Sequence, residues 1–385
     1  MSNLNSRQQM ARQSAKDFVA HHIIPHAAEF DKSGEFHAYL LKLAKPSKIF
    51  AMAVPKDYGG LGYDATTQSL VLEEWGYGCA GMGTTLAASI LSMESVLIAG
   101  TDEQKARYFA PMVAGEIGAF GLTEPSAGSD VGAGTTTATK TADGYVLNGA
   151  KCWITNGSFA SVHVIFAQTD PSKGTKGISA FIVEKDRPGF ALGDVEHKLG
   201  LRSSNTVFYS LKDVHVPAAN LLGKEGDGMK IAMKTLDMAR PAIAALAVGV
   251  AQRSLDECVK HLQERFPGKP YPGQSLQFEL ADMQIQVEAA RQVVRHVMAL
   301  RDAAVPFSKE SAISKTFCTD VAMNVTASAV RLMGSYGYTS ELGKFMRDAK
   351  IMQIYEGTNQ IQRLVIARAV LAPTPIAVST LKAGE

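Results

Sequence analysis

The amino-acid sequence predicts a mainly α-helical protein with a β domain in its middle, and the spacing of its apolar residues carries that expectation. Before residue 118 and again after Gly228, apolar residues recur every three or four positions, the mark of helices with one buried face. Between residue 119 and about residue 222 that period is lost, and short β-rich runs alternate with glycine and proline. Beyond them lie four long periodic stretches, which suggests a bundle. The expected division is an N-terminal helical domain over 1–118, an antiparallel β domain over 119–226, a C-terminal four-helix bundle over 227–371 and a disordered tail over 372–385.

Each element has its own signal. Gln8 to Ile24 reads as an amphipathic helix, and Thr66–Trp75 and Met82–Ala99 follow between glycine-rich turns. Thr101-Asp-Glu-Gln104 places a hydroxyl ahead of an acid and an amide, a capped start for a helix running to about Val113. Strands are expected at Tyr145–Leu147, Val162–Ala167, Ile178–Val183 and Thr206–Leu211, with turn signals at Asp143-Gly144 and Asn148-Gly149. The long C-terminal helices are expected at Ile231–Phe266, Ser275–Asp302, Ser308–Met333 and Thr358–Val370.

Bulk properties exclude several classes. The chain has 385 residues, enough for two or three packed domains, and is 46% apolar and 20% charged, as globular proteins are. Its 39 Lys and Arg nearly balance 37 Asp and Glu, so there is no general attraction to nucleic acid or an anionic membrane. The start, MSNLNSRQQMARQSAKDF, has neither a signal-peptide core nor a transit-peptide pattern, and no apolar run near 18 residues is evident, so no membrane span is expected. Cys79, Cys152, Cys258 and Cys318 are far apart and form no CxxC; they read as reduced thiols in a cytoplasm. His22 and His26 have a metal-compatible spacing but no third ligand, so they read as surface residues and no metal is expected.

Three segments suggest chemistry. Gly121-Leu-Thr-Glu-Pro-Ser-Ala-Gly-Ser-Asp130 concentrates small residues, hydroxyls and freed backbone amides that could lie against a flat polar ring or a phosphate; an unliganded Gly/Ser loop would look the same. Lys151-Cys-Trp-Ile-Thr-Asn-Gly157 ends a strand, where Trp153 and Thr155 would share a face and offer an aromatic surface beside a hydroxyl. Ordinary core is the alternative for Trp153. In Arg347-Asp-Ala-Lys-Ile-Met-Gln-Ile-Tyr-Glu-Gly-Thr-Asn-Gln-Ile-Gln362, Glu356 stands at an element end beside apolar residues. Such a carboxylate can be raised towards neutrality, as a general base requires, or it can be a solvated helix end. Arg347 and Asp348 read as a structural pair.

Taken together, in this order and spacing, these segments resemble the acyl-CoA dehydrogenases. Further matches are Val54-Pro-x-x-Tyr-Gly-Gly-Leu-Gly62, Lys198-Leu-Gly-Leu-Arg202, Leu236-Asp-Met-Ala-Arg240 and Leu280-Ala-Asp-Met283. The resemblance covers residues 5 to 371 and is closest to the straight-chain branch, medium-chain enzymes in particular. It implies an FAD-dependent enzyme that forms a trans-2-enoyl-CoA from an acyl-CoA thioester. Phe120, Leu122, Thr123, Gly128 and Ser129 match the segment lining the flavin, Ser129 also touching substrate. Trp153, Ile154 and Thr155 match the segment that stacks on the ring and hydrogen-bonds near N5, and Thr358 and Gln360 a further flavin contact. Asp237 and Arg240 match contacts to the CoA arm, and Gly357 lies beside the substrate. Glu356 matches the base that takes the α-proton while the β-hydride passes to flavin N5. Its backbone N–H matches a donor to the thioester carbonyl, alongside a ribityl hydroxyl of FAD. Relatives with the base elsewhere carry it just before the arginine matched by Arg240, where this chain has Ala239. A homotetramer built as a pair of dimers, with an electron-transfer flavoprotein as acceptor, is also implied.

The chain departs from the family where a partner subunit's FAD is approached. The match, Arg265 to Gln274, is shorter than usual and contains Pro267, Pro270 and Pro272. Arg331 replaces a glutamine and Ser335 the second glycine of a pair that begins with Gly334. Arg331 could supply charge to the FAD pyrophosphate in place of the shortened loop, or pair with a surface acid. For the acyl group, small Gly83, Ala87 and Ala88 would leave room, Glu94 is expected to face water, and the absence of Lys and Arg from Asp57 to Gln104 disfavours a dicarboxylyl substrate. A neutral chain of medium length, or one with a branched or cyclic end, is expected. Competing functions are an enoyl-CoA reductase working in reverse, a flavin oxidase or monooxygenase, and a non-catalytic binding protein; the last two sit poorly with Glu356.

Overall fold

The N-terminal periodic segments fold into α1 (Ser6–Phe18), α2 (Ala27–Ser33), α3 (Tyr39–Ala44), α4 (Ala65–Gly78), α5 (Ala80–Ala99) and α6 (Asp102–Val113). The structure is a computed structural model that describes residues 4–35, 38–268 and 273–372. The helix expected over Gln8–Ile24 stays α-helical only to Phe18, then passes through a π-turn at Val19–Ile23 and a tight turn at Ile24–His26. Pro25 explains the break, since it has no N–H to continue the ladder. The capped start of α6 is present: the Thr101 hydroxyl accepts from the Gln104 N–H at 3.2 Å, and Gln104 Oε1 accepts from the Thr101 N–H at 2.9 Å. The Gln104 amide also donates to the carbonyls of Ala219 and Leu221, which ties α6 to the β domain.

Eight strands make one sheet: β1 (Gly118–Gly121), β2 (Thr137–Lys140), β3 (Gly144–Thr155), β4 (Val162–Gln168), β5 (Ile178–Glu184), β6 (Phe190–Val195), β7 (Thr206–Pro217) and β8 (Leu221–Leu222). The order is β6-β7-β3-β2-β4-β5-β8, with β1 beside β4. The expectation of an antiparallel domain needs correcting, because β1 and β2 both pair with β4 in parallel. Asn148-Gly149 is a bulge within β3 and not a turn between strands. Gly149 allows it, since a Cβ there would strike Thr136, and Asn148 holds Asp213 on β7 through its side-chain amide.

The C-terminal part contains α7 (Gly228–Arg265), α8 (Gln274–Asp302), α9 (Ser308–Met333), α10 (Ser335–Thr339), α11 (Glu341–Met352) and α12 (Asn359–Leu371). The four expected long helices are α7, α8, α9 and α12. Sequence reading missed α11, although its buried Leu342, Phe345, Ala349 and Met352 follow three- and four-residue spacing behind a Ser340 cap. Arg347 and Asp348 do not pair with one another. Adjacent helix residues diverge, and here Arg347 pairs with Asp31 while Asp348 pairs with Lys344 and accepts the Leu201 N–H. Of the expected disordered tail, all but Ala372 lies outside the described residues.

Helix α5 lies deep in the packing, against α7, α4 and β1. It is long and apolar enough to cross a membrane, contrary to the sequence expectation, and 78% of its most apolar window is buried here. Glycines bring α4, α5 and α7 into close contact: a Cβ on Gly76 would strike the Leu246 backbone, one on Gly249 the Glu73 carbonyl, and one on Gly83 the Leu246 side chain. Gly249→Ala therefore has to push α4 and α7 apart. It is expected to cost about 1–3 kcal/mol in urea unfolding, and an unchanged midpoint would contradict this packing.

Candidate active site

Between α11 and α12 the chain reverses through Gln353–Thr358, and Glu356 and Gly357 take left-handed backbone, with φ of 55° and 88°. Glycine is needed at 357 for space as well as for φ, because a Cβ would run into the Gln362 amide. For Glu356 the conformation costs roughly 1 kcal/mol or more, and a ring of donors holds it. Gln362 Nε2 reaches the Glu356 and Gly357 carbonyls at 3.3 and 3.1 Å, Lys315 Nζ the Gly357 carbonyl at 2.9 Å, and Arg240 Nε the Glu356 carbonyl at 3.4 Å. Asp320 accepts from both Gln353 and Asn359, closing the turn from below. The Thr358 hydroxyl caps α12, and Gln360 on its first turn is exposed.

The Glu356 carboxyl has its Oε2 enclosed with no hydrogen-bond partner. Burial pushes its pKa up to about 7, against the lowering pull of Arg240 and Lys315. Among the described residues its backbone N–H donates to no backbone acceptor. Arg240 is buried on α7, one turn after Asp237, and the two form an ion pair with each other. Ala239, the rival position, is a buried methyl group.

The second cluster lies in the β domain. Phe120 on β1 packs against Phe166 with ring centroids 5.0 Å apart, and Leu122 and Ile154 are buried. Thr123 and Thr155 are half-buried, while Gly128 and Ser129 are exposed. Trp153 is not core: it is 60% exposed, and its φ is 60°. The bulge between Lys151 and Ile154 turns it away from the alternation expected of a flat strand. A large aromatic side chain held outwards by uncommon backbone, beside two threonine hydroxyls and an open glycine, fits a planar polar heterocycle such as a flavin ring.

Sequence reasoning missed what fastens these two segments together. Lys151 and Glu124 form a fully buried ion pair at 2.7 Å, and Lys151 also donates to the Leu122 carbonyl. Burial alone would raise the Glu124 pKa, but Lys151 and hydrogen bonds from Thr135 and Thr136 hold it down at about 2. It also missed Lys315, whose spacing from buried Ala312, Thr319 and Ala322 puts it on the inward face of α9. Glu94, expected to face water, is buried and ion-paired with Arg301 of α8.

Consecutive residues of α5 join the two clusters. The Thr84 hydroxyl lies 3.3 Å from that of Tyr355, next to Glu356, and the Thr85 carbonyl accepts from Asn156 at 2.9 Å, next to Thr155. The remaining predicted residues lie at helix ends away from this junction. Arg265 closes α7 with its guanidinium over Phe266, exposed Gln274 opens α8, and Gly334 follows α9 with φ of 59°. Arg331, at the end of α9, is held by both carboxylate oxygens of Glu279, at 2.8 and 2.9 Å. That is the surface pair the sequence left open as its alternative role. Residues 269–272 of the shortened loop lie outside the described residues.

Removing one member of the buried pair leaves an uncompensated charge. Lys151→Met is expected to lower stability by roughly 3–5 kcal/mol in chemical denaturation. Because the folded Glu124 pKa is depressed below 4.5, the pair's contribution is complete above that pH and is lost as pH falls towards about 2. A Lys151→Met protein as stable as the parent at neutral pH would contradict this.

Three domain patterns match in order: the acyl-CoA dehydrogenase N-terminal domain over residues 5–116, the middle domain over 119–214 and the C-terminal domain over 226–371. A short-chain specific acyl-CoA dehydrogenase of Clostridium acetobutylicum is 43% identical over 371 residues, covering 95% of this chain and 98% of its own length. The acryloyl-CoA reductase (NADH) of Anaerotignum propionicum is 42% identical, covering 96% and 95%. A chain in a solved structure described as the electron transferring flavoprotein of Acidaminococcus fermentans superposes with a TM-score of 0.94 at 44% identity, covering 97% and 100%. The Clostridium relative is named short-chain specific, whereas the sequence likeness was to medium-chain enzymes. Matched along nearly its whole length, the chain belongs to the acyl-CoA dehydrogenase family of FAD-dependent oxidoreductases.

Proposed function

We propose that this chain dehydrogenates an acyl-CoA between its α and β carbons, with Glu356 as the base that takes the α-proton. The observation that carries this reading is the Glu356 carboxyl itself: enclosed, with one oxygen unbonded, and raised to about 7, where a general base works best at neutral pH. The oxygens of Glu124, by contrast, are filled by donors. The free Glu356 N–H can donate to the thioester carbonyl as enolate character develops. FAD, when bound, would supply the acceptor for the β-hydride. Trp153, Thr123 and Thr155 would hold its ring, with Gly128 and Ser129 supplying backbone and hydroxyl contacts at its edge. Asp237 and Arg240 flank the path of the CoA arm.

The substrate we favour is a short, neutral acyl-CoA. Gly83 leaves no room for a ligand, since Leu246 fills the space beside it, and of the three small positions only Ala87 and Ala88 remain. Arg301 is already neutralised by Glu94, so it offers no cation to a second substrate carboxylate. Likeness to the acryloyl-CoA reductase supports a second reading, in which the same site reduces an enoyl-CoA. We further infer a homotetramer whose electron acceptor is an electron-transfer flavoprotein. Exposed Phe278 and Ile285 on α8 and Leu364 on α12 support covered faces in an assembly. Four unpaired, buried cysteines suit a reducing, cytoplasmic setting.

Glu356→Gln is expected to purify yellow with FAD and to lose at least about 10²-fold in dehydrogenation, followed as anaerobic bleaching of the flavin by a panel of acyl-CoAs. For the parent, the rate should rise with pH through about 7 as Glu356 loses its proton. Near-normal turnover by the glutamine variant would sink the assignment, and strongest bleaching by glutaryl-CoA would overturn the substrate reading.

A further inference from the structure

Lys315 is buried on α9. Its ammonium donates to the Gly357 carbonyl at 2.9 Å and to Asn359 Oδ1 at 2.8 Å, and among the described residues it forms no salt bridge. Burying an ammonium against neutral acceptors alone is costly. Hydrogen bonding does not require it, because Gln362 already reaches the same Gly357 carbonyl. The charge is therefore unexplained by packing and has to be read against its neighbours.

Those neighbours are few. From α7 come Asp237 and Arg240, which pair with each other. From α9 comes Asp320, which is taken up by Arg363, Gln353 and Asn359. The turn contributes Tyr355, which is bonded to Thr84, and Glu356 itself. Among the described residues, Lys315 and Glu356 are left as the charges of this group without an ion partner, and Lys315 bonds to the carbonyl of the residue that follows Glu356. We propose that Lys315 is a positioning residue for the Glu356 base, clamping the Gly357 carbonyl so that the turn stays aimed and holding the carboxylate ionised by its positive charge. This rests on the reading of Glu356 as the base. The electrostatics agree in both directions. Burial pushes Lys315 down to about 7 while Glu356 pulls it up, and burial pushes Glu356 up to about 7 while Arg240 and Lys315 pull it down.

The test compares Lys315→Met, Lys315→Gln and Lys315→Arg in the FAD-loaded protein. Three quantities are read: the anaerobic flavin-reduction rate with butyryl-CoA against pH, the exchange of the bound thioester's α-hydrogen with D2O by NMR, and the melting temperature. Lys315→Met should lower the limiting rate and the exchange by roughly tenfold or more, the scale of one charged hydrogen bond, with a smaller change in KM. Its acid limb should move up by about one pH unit, because a charge that favours the carboxylate is gone. Lys315→Gln should show the same displaced limb with part of the rate restored, and Lys315→Arg should return the limb to the parent position. Variants that melt earlier but keep the parent's pH limb in both rate and exchange would reduce Lys315 to a structural role and overturn the proposal. If Met fails to fold, the contrast between Gln and Arg decides it alone. Full turnover by Glu356→Gln would instead overturn the reading of the base.

Discussion

Thr84 and Thr85 are neighbours on one buried helix, and each bonds to a different half of the site. Successive residues on a helix point about 100° apart, so one reaches Tyr355 beside Glu356 and the other Asn156 beside Thr155. The relative placement of the carboxylate turn and the Trp153 segment therefore depends on α5 being rigid. Burial of α5 supplies that rigidity, and Gly76, Gly83 and Gly249 let α4, α5 and α7 approach closely enough to provide it. Farther along, the Ser89 hydroxyl accepts the Gly118 N–H and so sets the start of β1 on the same helix.

Within that frame two glutamates behave in opposite ways, and the charge and donors around each carboxyl decide which. Glu124 collects an ammonium, a hydroxyl and two backbone N–H groups, and its pKa is held at about 2. Such a carboxylate has no capacity left to accept a proton near neutral pH. Glu356 is desolvated, with one oxygen unbonded and with Arg240 and Lys315 acting through space, and its pKa rises to about 7. The same side chain is a fastener in one place and a candidate base in the other because of what surrounds it.

Much of this was legible in the sequence. The long helices, the β runs and the Thr101 cap follow from periodicity and local chemistry, which depend on residues close together in the chain. Glu356 and the two segments proposed to hold the flavin ring were visible as motifs. What could not be read were partners brought together by the fold. Lys151 finds Glu124 across 27 positions, Arg301 finds Glu94 across 207, and Lys315 reaches Gly357 across 42. Trp153 stood between an aromatic surface and ordinary core, and the bulge in β3 that leaves it exposed excludes core for a local reason that spacing does not show. Glu94 and Gly83 were misjudged because neither a buried ion pair nor a helix contact announces itself in one sequence.

Desolvation holds the Glu356 carboxyl near neutrality with a free oxygen. This is tested most directly by infrared difference spectroscopy of the FAD-loaded protein across a pH titration, with the Glu356→Gln protein subtracted to isolate this one carboxyl. A protonated carboxyl band is expected to disappear between about pH 6 and 8, centred near the value of about 7 to which burial raises this group. A band that is lost near the ordinary carboxylate value of 4.5 would show a solvated side chain and contradict the account.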